Sequence, residues 1–186
     1  EKIQQVVYHV AKKNKGELLW MLLQSPKIKN ALVFTRTKHM ANKVAQALIN
    51  RGLKADAIHG NKSQSARTEA LRSFKSGDIR VLVATDIAAR GLDIDELSHV
   101  ISYDLPDVPE TYIHRIGRTG RAGLAGIAIT FCDEDEFGQF VDIEYFIGIK
   151  IEVKKDHPFA INPSLQKPIS KPVISPRRPP TRRPRR

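Results

Sequence analysis

The strongest constraint in this sequence is an alternation of short, wholly apolar runs with segments of helical period. Ala31–Thr35 (Ala-Leu-Val-Phe-Thr), Arg80–Ala84 (Arg-Val-Leu-Val-Ala) and His99–Tyr103 are too short and too uniformly apolar for surface helices. They read as strands buried on both faces. Between them run amphipathic segments with recognisable starts and stops. Thr37 can cap a helix to about Asn50 that places Met40, Val44, Ala47 and Leu48 on one face, with Gly52 at its stop. Ser63 can cap a second, with Ala66, Ala70, Leu71 and Phe74 on one face and Gly77 at its end. Pro109 opens a third, to about Ile116, at the one helical position where proline is favoured. Ile3–Val10 predicts an edge strand, Glu17–Leu23 a short helix, Leu53–Ile58 and Gly126–Phe131 strands, Asp133–Ile147 a helix and Ile151–Val153 a last short strand. Strand alternating with helix means an α/β fold: an open, mainly parallel sheet with helices on both faces. Ligands of such sheets gather at the carboxyl ends of the strands.

Composition places this domain and its tail. The chain has 186 residues, 41% of them hydrophobic, enough for one ordinary domain. The net charge is +11, unevenly spread: residues 163–186 hold 8 of the 31 Lys and Arg and no acid, which leaves 23 basic against 20 acidic residues before them. The expected division is a globular domain over 1–162 and a disordered Pro/Arg-rich basic tail over 163–186. Such a tail favours polyanions through counterion release. No apolar run approaches the twenty or so residues of a spanning helix, so no membrane partner is expected. No secretory leader opens the chain, and Glu1 in place of Met reads as the start of a fragment. A lone Cys132 allows no internal disulfide and fits a reducing, cytoplasmic setting. Cys132 and the scattered histidines lack companions at metal spacing, so no metal site is expected on this chain. Trp20 reads as packing.

Four segments carry chemistry. His114-Arg-Ile-Gly-Arg-Thr-Gly-Arg121 holds arginines at every third position, and Gly117 and Gly120 let the backbone leave the helix and turn. Arg118 and Arg121 could then converge on one anion, since the guanidinium fork suits phosphate and stays charged. A solvated basic helix end is the bland alternative, and the flanking histidine and two glycines count against it. In Val81–Ile94 a buried strand delivers Thr85 and Asp86 to its end. Gly91 then permits close backbone approach, and Asp93 could accept from ribose hydroxyls; an Asp86 N-cap and a tight glycine turn would explain the same residues structurally. His59-Gly60 leads to Gln64 and Arg67, one face of a helix's first turn, where phosphate is already favoured. Alone, that pair reads as ordinary surface. Val33–Lys38, a strand ending in Thr35 and Arg36, is the weakest of the four. No Gly-x-x-x-x-Gly-Lys-[Ser/Thr] loop and no acidic motif for Mg²⁺ is present, so the arginines amount to half of a phosphoryl-transfer site.

In this order and spacing, Leu32–Lys38, Gln64-x-x-Arg67, Ala84–Ile94 and His114–Arg121 resemble motif IV, the Gln-x-x-Arg element, motif V and motif VI of the C-terminal RecA-like domain of DEAD-box RNA helicases. The resemblance runs from about Ile3 to Phe159. The ending Ile151–Phe159 and the basic tail look like the bacterial RhlE-type subgroup. The resemblance implies that Arg118 and Arg121 reach the γ-phosphate of ATP, that His114 couples that site to RNA, and that Arg115 braces the motif. It implies that Gly91 and Asp93 meet the nucleotide ribose. Gly60, Gln64, Arg67 and Thr85, with Thr35 and Arg36 as weaker candidates, would meet the RNA backbone. It further implies an N-terminal RecA-like partner domain in the same protein, which holds most of the ATP and the Mg²⁺. Single-stranded or short duplex RNA would be the substrate, and this segment alone would be inactive. A DNA helicase or translocase domain and a noncatalytic RNA-binding module are the alternatives.

Overall fold

A computed structural model describes residues 3–120 and 125–163. Its strands and helices, in chain order, are β1 (Ile3–His9), α1 (Lys15–Leu23), β2 (Ala31–Thr35), α2 (Lys38–Asn50), β3 (Ala55–Ile58), α3 (Gln64–Ser76), β4 (Val81–Thr85), α4 (Asp86–Ala89), β5 (His99–Ser102), α5 (Pro109–Ile116), β6 (Gly126–Cys132), α6 (Phe137–Ile147) and β7 (Glu152–Val153). The seven strands form one sheet in the order β3-β4-β2-β5-β6-β1-β7, and every pairing is parallel. The central strands are the apolar runs. Leu32, Val33, Leu82, Val83 and Ile101 have no exposed surface, and each such side chain contributes roughly 1.5–3 kcal/mol by leaving water.

Alternation along the strands divides the core. Val6, Val33, Val83 and Ile101 face α1 and α2. Leu32, Phe34, Leu82 and Val100 face α3 and α4, where Ala70, Phe74, Ala88 and Ala89 cover them. Val7 and Cys132 lie under Tyr112 of α5 and Phe140 and Ile143 of α6. The sheet is thus covered on both faces.

The caps act as the sequence predicts: Thr37 and Ser63 accept from the backbone N–H groups of Met40 and Ala66, both at 3.1 Å. Two expectations change. β1 is not the edge, because β7 pairs with it through Val6 and Val7. The last helix begins at Phe137 rather than Asp133, because Asp133–Glu136 form a turn in which Glu136 accepts from the Asp133 N–H at 3.2 Å. The Pro/Arg tail lies outside the described residues, apart from Pro163 at its start. Among the described residues no helix is long and apolar enough to cross a membrane.

Candidate functional site

The carboxyl ends of β4, β2 and β5 meet at one charged centre. Thr85, the last residue of β4, caps the short α4 by accepting from the Ala88 N–H at 3.4 Å. The cap is therefore Thr85 and not Asp86, whose carboxylate turns instead to α5. There Arg115 donates to both Asp86 oxygens, at 2.7 and 2.8 Å, and to the Asp104 carbonyl at 2.6 Å. The Arg115 guanidinium also lies over the Phe34 ring, 5.0 Å from its centroid. Arg115 is 1% exposed, and an arginine so enclosed persists only when its donors are matched. It braces the site, as the resemblance implies.

Arg118 and His114 stand on the rim. A cleft of about 400 Å³ opens between α4 and α5, lined by Phe34, Asp86, Arg90, His114, Arg115 and Arg118, among others. The helix end carries Arg118 back over the segment after α4. Its guanidinium donates to the carbonyls of Leu92 (2.6 Å), Ile94 (3.3 Å) and Ala89 (3.0 Å). Asp93 thus sits between two carbonyls that Arg118 holds, exposed and paired with Lys75 at 3.4 Å. Gly91, at φ +75, allows the turn that brings Leu92 back, a backbone conformation strained for any other L-residue. The structure therefore joins Gly91, Asp93, His114 and Arg118 in one neighbourhood. Arg121 lies outside the described residues. No group of three or more His, Cys, Asp or Glu among the described residues could hold a metal ion.

A second rim lies after β2 and β3. The His59 ring, 3% exposed, braces the turn after β3: Nδ1 accepts from the Asn61 N–H at 3.2 Å, so Nε2 carries the proton toward Asn42 Oδ1 at 2.8 Å. Burial, with Lys62 and Lys38 nearby, pushes this imidazole below its ordinary pKa. Gly60 and Gln64 are exposed on this turn and at the start of α3. Arg67 is half-buried one helical turn on, and its Nε is buried without a hydrogen-bond partner among the described residues. A donor left in this state is costly unless an acceptor arrives. Thr35 differs from the expectation. It has no exposed surface, and its hydroxyl donates to the Thr37 carbonyl at 3.1 Å, so it shapes the turn and does not face outward. Arg36 is exposed at 42% of its side chain but already engaged, by Asp107 at 3.3 Å, Glu136 at 3.4 Å and the Leu105 carbonyl at 3.3 Å.

Sequence reasoning missed the group behind this centre. Lys15, at the start of α1, is 1% exposed and reaches Glu136 at 2.7 Å, Asp133 at 3.0 Å and Asp104 at 3.2 Å. Burial opposes its charge, but Glu136 and Asp104 outweigh burial and hold the ammonium well above its ordinary pKa. Burial raises Glu136, whereas Lys15 overcomes burial at Asp133 and holds it below the usual carboxylate range.

Comparison with known proteins fits this geometry. Residues 14–123 match the model of the helicase conserved C-terminal domain. The chain belongs to the helicase conserved C-terminal domain family, in its DEAD-box form. CshA, a DEAD-box ATP-dependent RNA helicase of Geobacillus kaustophilus, is 48% identical over 155 residues, which cover 82% of this chain and 33% of that protein. CshA of Bacillus cereus (strain ATCC 10987 / NRS 248) is 51% identical over 144 residues, 76% of this chain and 27% of that one. The chain thus spans a third or less of these relatives. They carry the name CshA and lend no support to the RhlE-type subgroup. Among solved structures, E. coli SrmB bound to RraA superposes with a TM-score of 0.79 at 35% identity, over 83% of this chain and 91% of that one. A DEAD-box protein from Methanococcus jannaschii gives 0.76 at 43% identity, over 82% and 42%. Dbp5 of S. cerevisiae bound to RNA and ADP BeF3 gives 0.74 at 33%, over 82% and 41%. The fold is thus the RecA-like one of DEAD-box C-terminal domains.

Proposed function

We propose that this domain supplies the arginine side of an interdomain ATP site and half of an RNA backbone groove in an ATP-dependent RNA helicase. The observation that carries this is the Arg115–Asp86–Asp104 brace, which fixes α5 against α4 so that Arg118 and His114 stand on the cleft. Arg118 and Arg121 stabilise charge on the transferred γ-phosphoryl of ATP as arginine fingers. For that, Arg118 exchanges main-chain carbonyls for phosphate. Asp93 accepts from the ribose hydroxyls, Gly91 keeps the backbone clear of the nucleotide, and His114 links the cleft to the RNA side.

Gly60, Gln64, Arg67 and Thr85 meet phosphates and sugars, with the unpartnered Arg67 Nε as the readiest donor. Arg36 joins them once it leaves its carboxylates, and Thr35 contributes only through the turn it shapes. Backbone contact carries little sequence preference. An N-terminal RecA-like domain of the same protein holds the phosphate loop and Mg²⁺, so this segment alone is inactive. ATP and RNA together favour the closed pair of domains and shift the population toward it. Closure bends one strand and opens a short duplex; hydrolysis lets the domains part.

The globular domain ends at 162, and the tail over 163–186 holds RNA without sequence preference. The relatives favour a CshA-like subgroup, and the lone Cys132 fits a cytoplasmic setting. The test is ATP hydrolysis by the full-length protein, with and without RNA, beside Arg121→Ala. Turnover stimulated by RNA should fall by about 10³-fold in the variant, with nucleotide-free RNA binding kept. Unchanged turnover removes Arg121 from the site. No RNA-dependent turnover in the parent protein leaves a noncatalytic RNA-binding module. Deleting 163–186 should flatten the salt dependence of RNA binding; an unaltered slope removes the tail's role.

A further inference from the structure

Asp104 touches three elements at once. Its carbonyl accepts from Arg115 on α5, and its carboxylate accepts from the Arg36 backbone N–H at 3.0 Å and from Lys15 at 3.2 Å. It sits at the end of β5, beside the end of β2, where its own N–H and that of Tyr103 donate to the Phe34 carbonyl. The turn after β2 and the arginine-bearing helix are therefore both referenced to one aspartate.

Lys15 holds that aspartate from behind. Glu136 completes the frame by accepting from the Leu105 N–H at 2.8 Å while touching Arg36 and Lys15. Lys12 adds a second tie, from its side chain to Asp135 and from its backbone to Glu134. Lys15, Asp133 and Glu136 do not line the cleft between α4 and α5; with Arg36 they line a separate cavity of about 1190 Å³. They are costly to bury unless each charge is matched, and a buried ammonium among three carboxylates permits few other arrangements. Were Arg36 to leave Glu136 and Asp107 for a phosphate, Lys15 would be the remaining cation on Glu136, which also holds the Leu105 N–H next to Asp104, whose carbonyl accepts from Arg115.

We propose that Lys15, with Asp104, Asp133 and Glu136, forms the joint through which RNA at the turn after β2 is felt at the arginine-bearing helix. Lys15 acts as a positioning residue and touches neither ligand. The inference rests on the proposed function and predicts a coupling defect, because a joint that biases two sites appears as a coupling between them.

The experiment uses the full-length protein and two variants. Lys15→Met removes the ammonium; Lys15→Met with Asp133→Asn removes one charge of each sign and guards against misfolding. For each we would measure ATP hydrolysis across an RNA titration, RNA affinity without nucleotide, and ATP affinity without RNA. The expected result is a stimulation by RNA that falls about tenfold, in line with a typical coupling energy, with the two separate affinities within about twofold of the parent. Stimulation that survives intact in the folded double variant overturns the joint and leaves Lys15 a packing residue. Equal losses in both separate affinities overturn it too, since that is general disorder. Absent stimulation in the unmodified protein is a different outcome: it overturns the helicase reading, and the joint with it.

Discussion

At the ends of β2, β5 and α5, charged side chains are tied to one another: Arg115 to Asp86, and Lys15 and Arg36 to Asp104 and Glu136. In the turn after β3, at the start of α3 and in the segment after α4 the residues are comparatively loose. Gly60, Gln64, Gly91 and Asp93 are exposed, and Arg67 keeps a donor unmatched. Both regions lie at the carboxyl rim of one parallel sheet, so topology does not set the difference. Burial does. Where a charge has left water, a partner must replace the water, and the region becomes rigid. Where it remains at the surface, it is available to a ligand. The braced region is suited to holding geometry and the open one to making contact.

The largest expected effect separates two arginines three residues apart. Arg115→Ala leaves Asp86 and the Asp104 carbonyl without their donor. Loss of one partner of an enclosed pair costs about 3–5 kcal/mol. Asp86 keeps 32% of its side chain exposed, so about 2–3 kcal/mol is the better expectation. Arg118→Ala removes bonds to the carbonyls of Leu92 and Ala89, which keep the backbone donors of Ile94 and Leu92, and about 1 kcal/mol is expected. Denaturant melts of the two variants would show the order. Equal losses would mean that the rim is braced as firmly as the centre.

An intermediate effect tests the open region from the other side. Arg67→Ala should weaken RNA binding by the full-length protein about tenfold, the scale of one charge-assisted contact. Stability should stay within about 0.5 kcal/mol of the parent, or rise slightly, since the substitution also removes an unmatched donor. Fluorescence anisotropy with a labelled single strand reads the first, and the melt reads the second. A large stability loss with unchanged affinity would move Arg67 into the braced set.

The same contrast explains what could be read from the sequence. Strand cores, caps and helix faces were legible because they are local: Thr37 precedes its helix, and Val81–Ala84 is apolar without interruption. The motif residues were legible because their types and spacing are distinctive. The brace was less so. Arg115 could be anticipated as internal only through the resemblance, and its partners Asp86 and Asp104 are distant in sequence. Lys15 was not legible at all. A lysine at the head of a short amphipathic helix reads as solvated, and its carboxylates lie 89 to 121 residues later, brought close by the β1–β6 and β5–β6 pairings. The burial of Thr35 was hidden for a related reason: a hydroxyl at a strand end looks available until the turn folds over it.

The smallest effect concerns acid and falls on the open region first. His59 holds the turn after β3 by accepting from the Asn61 N–H at Nδ1. Protonation would set two donors against each other there. Burial already lowers the pKa of this imidazole in the fold. A group whose folded value is depressed contributes stability that is present above its unfolded value, about 6.5, and lost as pH falls through the folded one. His9 and His99, buried in the sheet, are lowered by burial in the same direction. Melts should therefore show stability declining from about pH 6.5 downward. His59→Gln should remove only its own part of the decline, because glutamine can still accept from Asn61 without titrating. Amide exchange at Asn61 and Lys62 should rise at a higher pH than exchange in β1 and β5, since the turn is held by a few hydrogen bonds, two of them on His59, and the sheet by many. Simultaneous loosening of turn and sheet would mean that the open region is not separate from the fold that carries it.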